Sequence, residues 1–486
     1  MSLKNAIADI ESGPQGPAVG AFFDFDGTLI DGFSAAEYFK DRIRKREITK
    51  RELLTALKAP LKTDLDAVGF KALFQELMTE WAGYKESEMR AYWQRLFVER
   101  VAKRMYHEGF TLVKAHLKAG HTVAIASSAT RYQIEGLAEE YGIKHILASK
   151  LEVKRGVLTG RLSGDPAWGA NKAAAVKQFA TKQTIDLSQS YGYANGDEDI
   201  DFLNSVGRAT AINPDRILRS EARLSDWPII DFTMRRRAPL KALAGTVGCY
   251  SAMTATMLAG LAYNRVYQDP RRAVDLIASV GSDVGFALAG VKINVINEHN
   301  LWKARPAVFI INHQSKLDFF IFCNIIRRGA TGVVKKEAAN APIIGPFLKM
   351  AEMSFIDRSN TQSAIETLKP VVERLKKGLS VGIAPEGTRS YSPNLGRFKK
   401  GAFYVARQAG VPIVPVVLRN SGEIQARNDQ TIRAGTVDIC VLEPIDVSAW
   451  TDADMSKNVE EVRQQFVDTL SNWPDASNYS VAVAKL

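Results

Sequence analysis

The amino-acid sequence predicts an α/β protein: an N-terminal doubly wound parallel sheet with a helical cap, then a membrane-associated helical hairpin, then a second α/β domain. Three observations predict it. Short apolar runs separated by helical stretches occur in both halves, the pattern of parallel strands joined by crossover helices. Polar motifs follow several of those runs at once, where open α/β sheets place their ligands. Between the halves, residues 242–264 carry no charge, and about 20 apolar residues suffice to cross a bilayer.

The chain has 486 residues, 46% hydrophobic and 24% charged, which excludes a disordered chain and allows several packed cores. Cys249, Cys323 and Cys440 are odd in number and far apart, so neither a disulfide framework nor a cysteine zinc site is expected, and a reducing compartment is. The net charge of +11 is uneven: residues 1–230 hold 32 Lys and Arg against 30 Asp and Glu, residues 231–486 hold 32 against 23. A basic half points to an anionic partner: nucleic acid, a phospholipid surface or a phosphorylated substrate. No helix-turn-helix or RNA-binding signature accompanies it, so no nucleic acid is expected. The first 20 residues lack the basic start and apolar core of a signal peptide.

Taken in order, Ala18 to Phe25 is a short apolar run that stops at a Gly27 turn and reads as a buried strand. Residues 34–118 read as helices, a cap inserted after that strand. Within them DRIRKREITKR, residues 41–51, reads as an exposed helix face. HTVAIA at 121–126 and YGYAN before Gly196 read as two more strands. Trp227-Pro228 through Arg235-Arg236-Arg237 marks a boundary. The uncharged run beyond it is diluted by Gly, Ser, Thr and Ala and flanked by Lys241, Arg265, Arg271 and Arg272. A second apolar stretch, Leu276 to Val291, is short and broken by Asp283. An interfacial hairpin is therefore expected rather than two full spans, with a buried hairpin as the competing reading. After Pro306, AVFIIN, TGVVKK, SVGIAP and VPIVPVV read as strands. The two prolines of the last predict a sheet edge or a cavity wall.

The first chemical constellation begins with Phe23-Asp24-Phe25-Asp26-Gly27-Thr28. Two carboxylates two residues apart at a strand end supply a nucleophile for phosphorus and an acid for the leaving oxygen. Ser127, with Ser128 as its rival, follows the second strand and offers a hydroxyl to a phosphoryl oxygen. Lys172 offers a positive charge. Gly196-Asp197-Glu198-Asp199-Ile200-Asp201 clusters four acids that repel one another unless a cation lies among them, and oxygen ligands with a phosphate substrate favour Mg2+. Residues of about 18–220 resemble the haloacid dehalogenase superfamily of aspartyl-phosphate phosphatases, in the subgroup similar to phosphoserine phosphatase. The resemblance implies Asp24 as nucleophile, Asp26 as general acid/base, and Ser127 and Lys172 as phosphate ligands. It also implies a metal held by Asp24, the backbone carbonyl of Asp26 and Asp197, with Asp201 close behind.

The second constellation begins with Asn312-His313-Gln314-Ser315-Lys316-Leu317-Asp318. A His past a strand end with an acid five residues on suits a general base whose tautomer the acid fixes. A Ser315–His313 nucleophile pair is the alternative. Phe355-Ile356-Asp357-Arg358, then Glu386-Gly387-Thr388-Arg389, follow two further apolar runs. Residues of about 285–450 resemble the glycerolipid acyltransferases, nearest to those acting on 1-acylglycerol-3-phosphate. That implies His313 as base, Asp318 as its partner, and Arg358, Glu386, Gly387 and Arg389 gripping the acceptor, with Thr388 assisting. Lys335, Lys399 and Lys400 are further phosphate candidates. Ala384 and Glu352 stand where the family often has an aromatic residue and a glycine, which bears on acyl or acceptor preference.

The expected organisation is a phosphatase domain at 18–225 with its cap at about 34–118, a linker and hairpin at 226–291, and an acyltransferase domain at 292–486. The expected function is twofold: acyl transfer from acyl-CoA or acyl-carrier protein to lysophosphatidate, and Mg2+-dependent phosphomonoester hydrolysis, at the cytoplasmic face of a phospholipid membrane. The competing readings are an acyltransferase with a regulatory phosphatase domain, and a basic membrane-binding module built from decayed enzyme folds.

Overall fold

The computed structural model describes residues 1–48, 67–232, 240–342, 344–356, 361–391, 394–427 and 429–474. The chain divides into two compact units, residues 1–236 and 237–486.

The strands of the first unit are β1 (Gly20–Phe23), β2 (Thr122–Thr130), β3 (His145–Ser149), β4 (Leu151–Lys154), β5 (Val157–Leu162), β6 (Tyr191–Ala194), β7 (Arg208–Ile212) and β8 (Ile229–Ile230). Six form one parallel sheet in the order β3-β2-β1-β6-β7-β8. All four residues of β1 are buried, as an apolar run inside a two-faced sheet must be. The chain passes from β1 to β2 on one side and to β6 on the other. The carboxyl end of β1 is thus a switch point, where the flanking connections part and leave a crevice. HTVAIA was expected to end before Ser127, but β2 continues to Thr130 through a register irregularity after Ser127.

Four described helices follow β1: Ser34–Arg44, Ala67–Thr79, Glu86–Glu99 and His107–Lys118. Tyr38, Met78, Trp81, Met89, Trp93 and Leu96 share a core with Leu158 of β5, so the antiparallel β4–β5 hairpin, remote in sequence, completes the cap. The expected exposed face at 41–51 holds for residues 43–47, but Asp41 at its start is buried. The Asp41 side chain is only 3% exposed and accepts from Arg95 Nη2 at 2.7 Å and from the Tyr92 hydroxyl at 3.0 Å. Burial alone would raise its pKa, but those bonds hold it at about 2. Residues 49–51 lie outside the described residues.

The second unit contains β9 (Val291–Ile296), β10 (Val308–Ile311), β11 (Ala330–Lys335), β12 (Ser354–Ile356), β13 (Ser380–Ile383), β14 (Ile413–Leu418) and β15 (Gly435–Val441). Their order is β12-β11-β13-β10-β14-β15-β9, parallel throughout except β14 against β15. β10, fully buried, lies between β13 and β14. The expectation that the prolines mark an edge is corrected: β14 is interior, paired on both sides. Pro412 precedes the strand. Pro415 sits at the end of the β14–β15 ladder, where its carbonyl accepts from Leu442 N at 2.9 Å and its missing N–H removes only the return bond.

The uncharged run forms one helix, Leu240–Tyr267, which is long and apolar enough to cross a membrane. It turns back at Gln268-Asp269 into Pro270–Leu276, a π-helical turn at Ile277–Gly281, and Ser282–Ala289. The glycines that dilute its hydropathy sit where the arms touch. A Cβ on Gly260 would meet Ile277 Cδ1 at 2.1 Å, and one on Gly285 would meet Met253 Cε at 3.0 Å. Thr246, Cys249, Met253, Met257 and Gly260 form the buried stripe of the first arm. The opposite faces are open: Val247 is 65% exposed, Leu258 51%, and Leu276, Val280, Val284 and Leu288, at every fourth position of the second arm, 42–55%. Asp283, the charge that breaks the second arm, pairs with Arg327 at 2.8 Å.

Candidate functional site

Each unit gathers its own site. In the first, Asp24 follows β1 directly, and its backbone N–H donates to Tyr193 O of β6 at 2.8 Å. Its Oδ1 accepts from Lys172 Nζ at 2.9 Å; Lys172 also pairs with Asp199, and both its partners are buried. Burial works against the ammonium, but the Asp199 and Asp24 carboxylates outweigh it and hold Lys172 charged. Asp26 Oδ1 accepts from Ser34 N at 2.7 Å and Oδ2 from the Ser34 hydroxyl at 3.1 Å. Gln133 Nε2 donates to that hydroxyl at 2.8 Å, while Gln133 Oε1 accepts from Thr130 N at 2.8 Å, so the end of β2 orients Asp26. Burial, partly offset by the Ser34 bonds, raises the Asp26 carboxyl to about 7. Ser127 is buried and its hydroxyl accepts from Ala129 N at 3.3 Å; its rival Ser128 is half-buried.

The acidic cluster differs from expectation. Asp197 and Asp201 are exposed, and Asp197 groups instead with Glu198 and Asp215, their ligand oxygens within 4.8 Å of one another. Asn195 and Asp199 take the inner places. β6 ends at Ala194, so Asn195 is the first side chain past it, as Asp24 is past β1. The Asn195 amide meets Asp26 O at 2.8 Å, Thr28 Oγ1 at 3.0 Å and Asp24 Oδ2 at 3.3 Å. With nitrogen inward it donates to all three. With oxygen inward it joins Asp24 Oδ2 and the Asp26 carbonyl in a set of hard oxygen donors that fits Mg2+. The sequence reading passed over Asn195 because an amide adds nothing to a count of acids. The available signal was its position, one residue beyond an apolar strand.

In the second unit, His313 follows β10. Its Nδ1 lies 2.7 Å from Asp318 Oδ2, which also accepts from Gln314 N at 2.7 Å and Ser315 N at 2.8 Å. Asp318 is buried at the start of the helix Leu317–Ile326, a favourable place for a carboxylate. A carboxylate only accepts, so the ring proton sits on Nδ1 and the lone pair on Nε2. Asn312 extends the sheet with its side chain, donating to Leu418 O at 2.8 Å and accepting from Leu418 N at 2.7 Å. The Ser315 hydroxyl accepts from Leu317 N at 3.1 Å, a helix-start bond rather than one to His313. His313 and Asp318 open on a cleft of about 340 Å³. Its apolar lining includes Phe319, Phe322, Val333, Val334, Met353 and Ile383. Lys335, Thr388, Arg389 and Arg427 bring the polar groups. Arg358 and Asp357 lie outside the described residues. Lys399 and Lys400 are exposed and do not line the cleft among the described residues.

Glu386 departs from its expected place on the acceptor. Its Oε1 accepts from His313 N at 2.7 Å and its Oε2 from Gly396 N at 2.8 Å, so it ties the His313 loop to the segment after β13. Gly387 has φ +72°, which turns the chain sharply into Thr388 and Arg389. Glu386→Gln offers one acceptor where two N–H groups need one each. It is expected to cost about 1–3 kcal/mol and to lower acyl-transfer turnover, read by thermal unfolding and by thiol release.

The comparisons with known proteins agree with this division. The haloacid dehalogenase-like hydrolase family model matches residues 21–204, and the acyltransferase family model matches residues 292–419. A phosphoserine phosphatase of Mycobacterium tuberculosis is 32% identical over 223 residues, 45% of this chain and 72% of that protein. A 1-acyl-sn-glycerol-3-phosphate acyltransferase of Saccharomyces cerevisiae is 38% identical over 186 residues, 38% of this chain and 61% of that protein. The human 1-acyl-sn-glycerol-3-phosphate acyltransferase beta is 35% identical over 172 residues, 35% of this chain and 62% of that protein. The chain thus spans about three fifths of the length of these two acyltransferases. The protein belongs to the haloacid dehalogenase-like hydrolases through its first unit, and its second unit carries an acyltransferase-family domain.

Proposed function

We propose that the chain is a bifunctional enzyme of phospholipid synthesis. Its second unit transfers an acyl group from acyl-CoA or acyl-carrier protein to the sn-2 hydroxyl of 1-acylglycerol-3-phosphate, giving phosphatidate. Its first unit hydrolyses a phosphomonoester. The observation that carries the reading is the His313–Asp318 pair at a cleft lined by apolar side chains and by Lys335, Arg389 and Arg427. The acceptor hydroxyl gives its proton to His313 Nε2 and attacks the thioester carbon, Asp318 stabilises the imidazolium, and the departing thiolate takes the proton back. The apolar lining suits acyl chains. Arg389 suits the acceptor phosphate, since guanidinium binds phosphate by charge-assisted bonds.

In the first unit Asp24 attacks phosphorus and Asp26 protonates the leaving oxygen. Asp26 then takes a proton from the water that opens the aspartyl phosphate. Lys172 offsets phosphoryl charge, and the Ser127 hydroxyl on β2 binds a phosphoryl oxygen. Mg2+ would be held by Asp24, the Asp26 carbonyl and Asn195, and would neutralise charge on the transferring group. The test is a screen of the purified chain with Mg2+ on phosphatidate, lysophosphatidate and soluble phosphomonoesters, beside an assay of lysophosphatidate-dependent thiol release from acyl-CoA. Absence of thiol release would refute the acyltransferase; absence of phosphate release on every substrate would refute the phosphatase.

The open apolar face of the hairpin supports membrane association; the cytoplasmic face is the side where acyl-CoA or acyl-carrier protein would meet it. Arg235, Arg236 and Arg237, at the expected boundary, lie outside the described residues. Val280→Asp with Val284→Asp places two charges on the exposed stripe, at about 2–3 kcal/mol each if they enter hydrocarbon. The double variant is expected to lose vesicle binding in flotation while keeping its thermal midpoint. Unchanged flotation would refute the assignment of this face.

A further inference from the structure

We propose that Arg427 is a second guanidinium of the acceptor-phosphate end of the cleft, one that raises affinity for the phosphorylated acceptor; this rests on the acyl-transfer reading above. Arg427 belongs to none of the motifs read from the sequence. It lies beyond β14, yet lines the same cleft as His313 and Arg389. Two reciprocal bonds bring the arginines together. Arg389 Nη1 donates to Arg427 O at 2.5 Å, and Arg427 Nη1 donates to Arg389 O. Arg427 Nη2 also donates to Thr388 Oγ1 at 3.2 Å, and its Cζ lies 3.6 Å from the Tyr391 ring centroid. Stacking uses the flat face of the guanidinium, so its rim of donors is held in a fixed plane.

The charge around this pair is mainly cationic. Lys335 lines the cleft with both arginines. Lys316 is close enough that burial, then the Arg389 charge, lowers its pKa, while Asp429 works the other way. A phosphomonoester carries nearly two negative charges at neutral pH, which one guanidinium cannot match. A substitution at Arg427 removes its own bonds to Arg389 O and Thr388 Oγ1 but not the one that anchors the Arg389 side chain. Arg389 is anchored by the backbone carbonyl of residue 427, which a side-chain substitution leaves in place.

The test uses the full chain, with thiol release measured against both lysophosphatidate and acyl-CoA. Arg427→Gln is expected to raise the KM for lysophosphatidate about tenfold, with kcat and the KM for acyl-CoA nearly unchanged. Arg427→Lys is expected to fall between, because it keeps the charge and loses the planar, stacked fork. An unchanged lysophosphatidate KM, a raised acyl-CoA KM instead, or a fall in kcat alone would each overturn the assignment. If the Gln variant unfolds, the Lys variant is judged by the same criteria. An active wild type with an unaffected variant refutes only the role of Arg427. A wild type with no lysophosphatidate-dependent thiol release refutes the acyl-transfer reading, and this inference with it.

Discussion

His313→Ala is expected to slow lysophosphatidate-dependent thiol release by about 10²–10⁴-fold, the range for a positioned general base. The side chain is 24% exposed beside a nearly buried Asp318, so its loss opens no core cavity and the fold should survive. Asp318→Asn is expected to be nearly as harmful for a different reason. Its amide oxygen can still accept the N–H groups of Gln314 and Ser315, which Asp318 Oδ2 receives at 2.7 and 2.8 Å, so the turn stays. What disappears is the charge that stabilises the imidazolium. Measured turnover should fall in both variants, with little change in the acceptor KM. Arg389→Ala should show the reverse, a raised acceptor requirement. Normal turnover in His313→Ala would mean that this pair does not carry the reaction.

Asp24→Asn is expected to bring Mg2+-dependent phosphate release down to background, because an amide is no nucleophile toward phosphorus. Lys172 stays paired through Asp199, so one charge of its buried network remains compensated and the unit should stay folded. Acyl transfer should persist, since His313, Asp318 and Arg389 all belong to the other unit. Normal phosphate release by this variant would remove the phosphatase assignment.

What the sequence determined by itself is what depends on neighbours along the chain. Apolar runs at 20–23, 122–126, 308–311 and 380–383 announce strands because a buried strand has little choice but to be apolar. Asp24, Asp26, His313 and Asp318 are legible because strand ends carry catalytic groups and both pairs lie within five residues. The gap between the halves is legible in the charge-free run that becomes Leu240–Tyr267.

Tertiary structure alone decided which groups meet across the sheets. Asn195, not Asp197, lies beside Asp24 and the Asp26 carbonyl because β6 stops at Ala194 and pairs beside β1, a fact of register that composition does not hold. Glu386 turned from the acceptor to two backbone amides because β13 lies next to β10, bringing its loop under His313. Pro415 sits in an interior strand because its missing donor falls at a ladder end, which only the pairing partner determines. Arg427 reached the cleft from beyond β14 through bonds between residues 38 apart. Local propensity and periodicity act over a few residues of chain. A site assembled from strand ends is set by which strands are neighbours, and that is chosen by the free energy of the whole packed sheet.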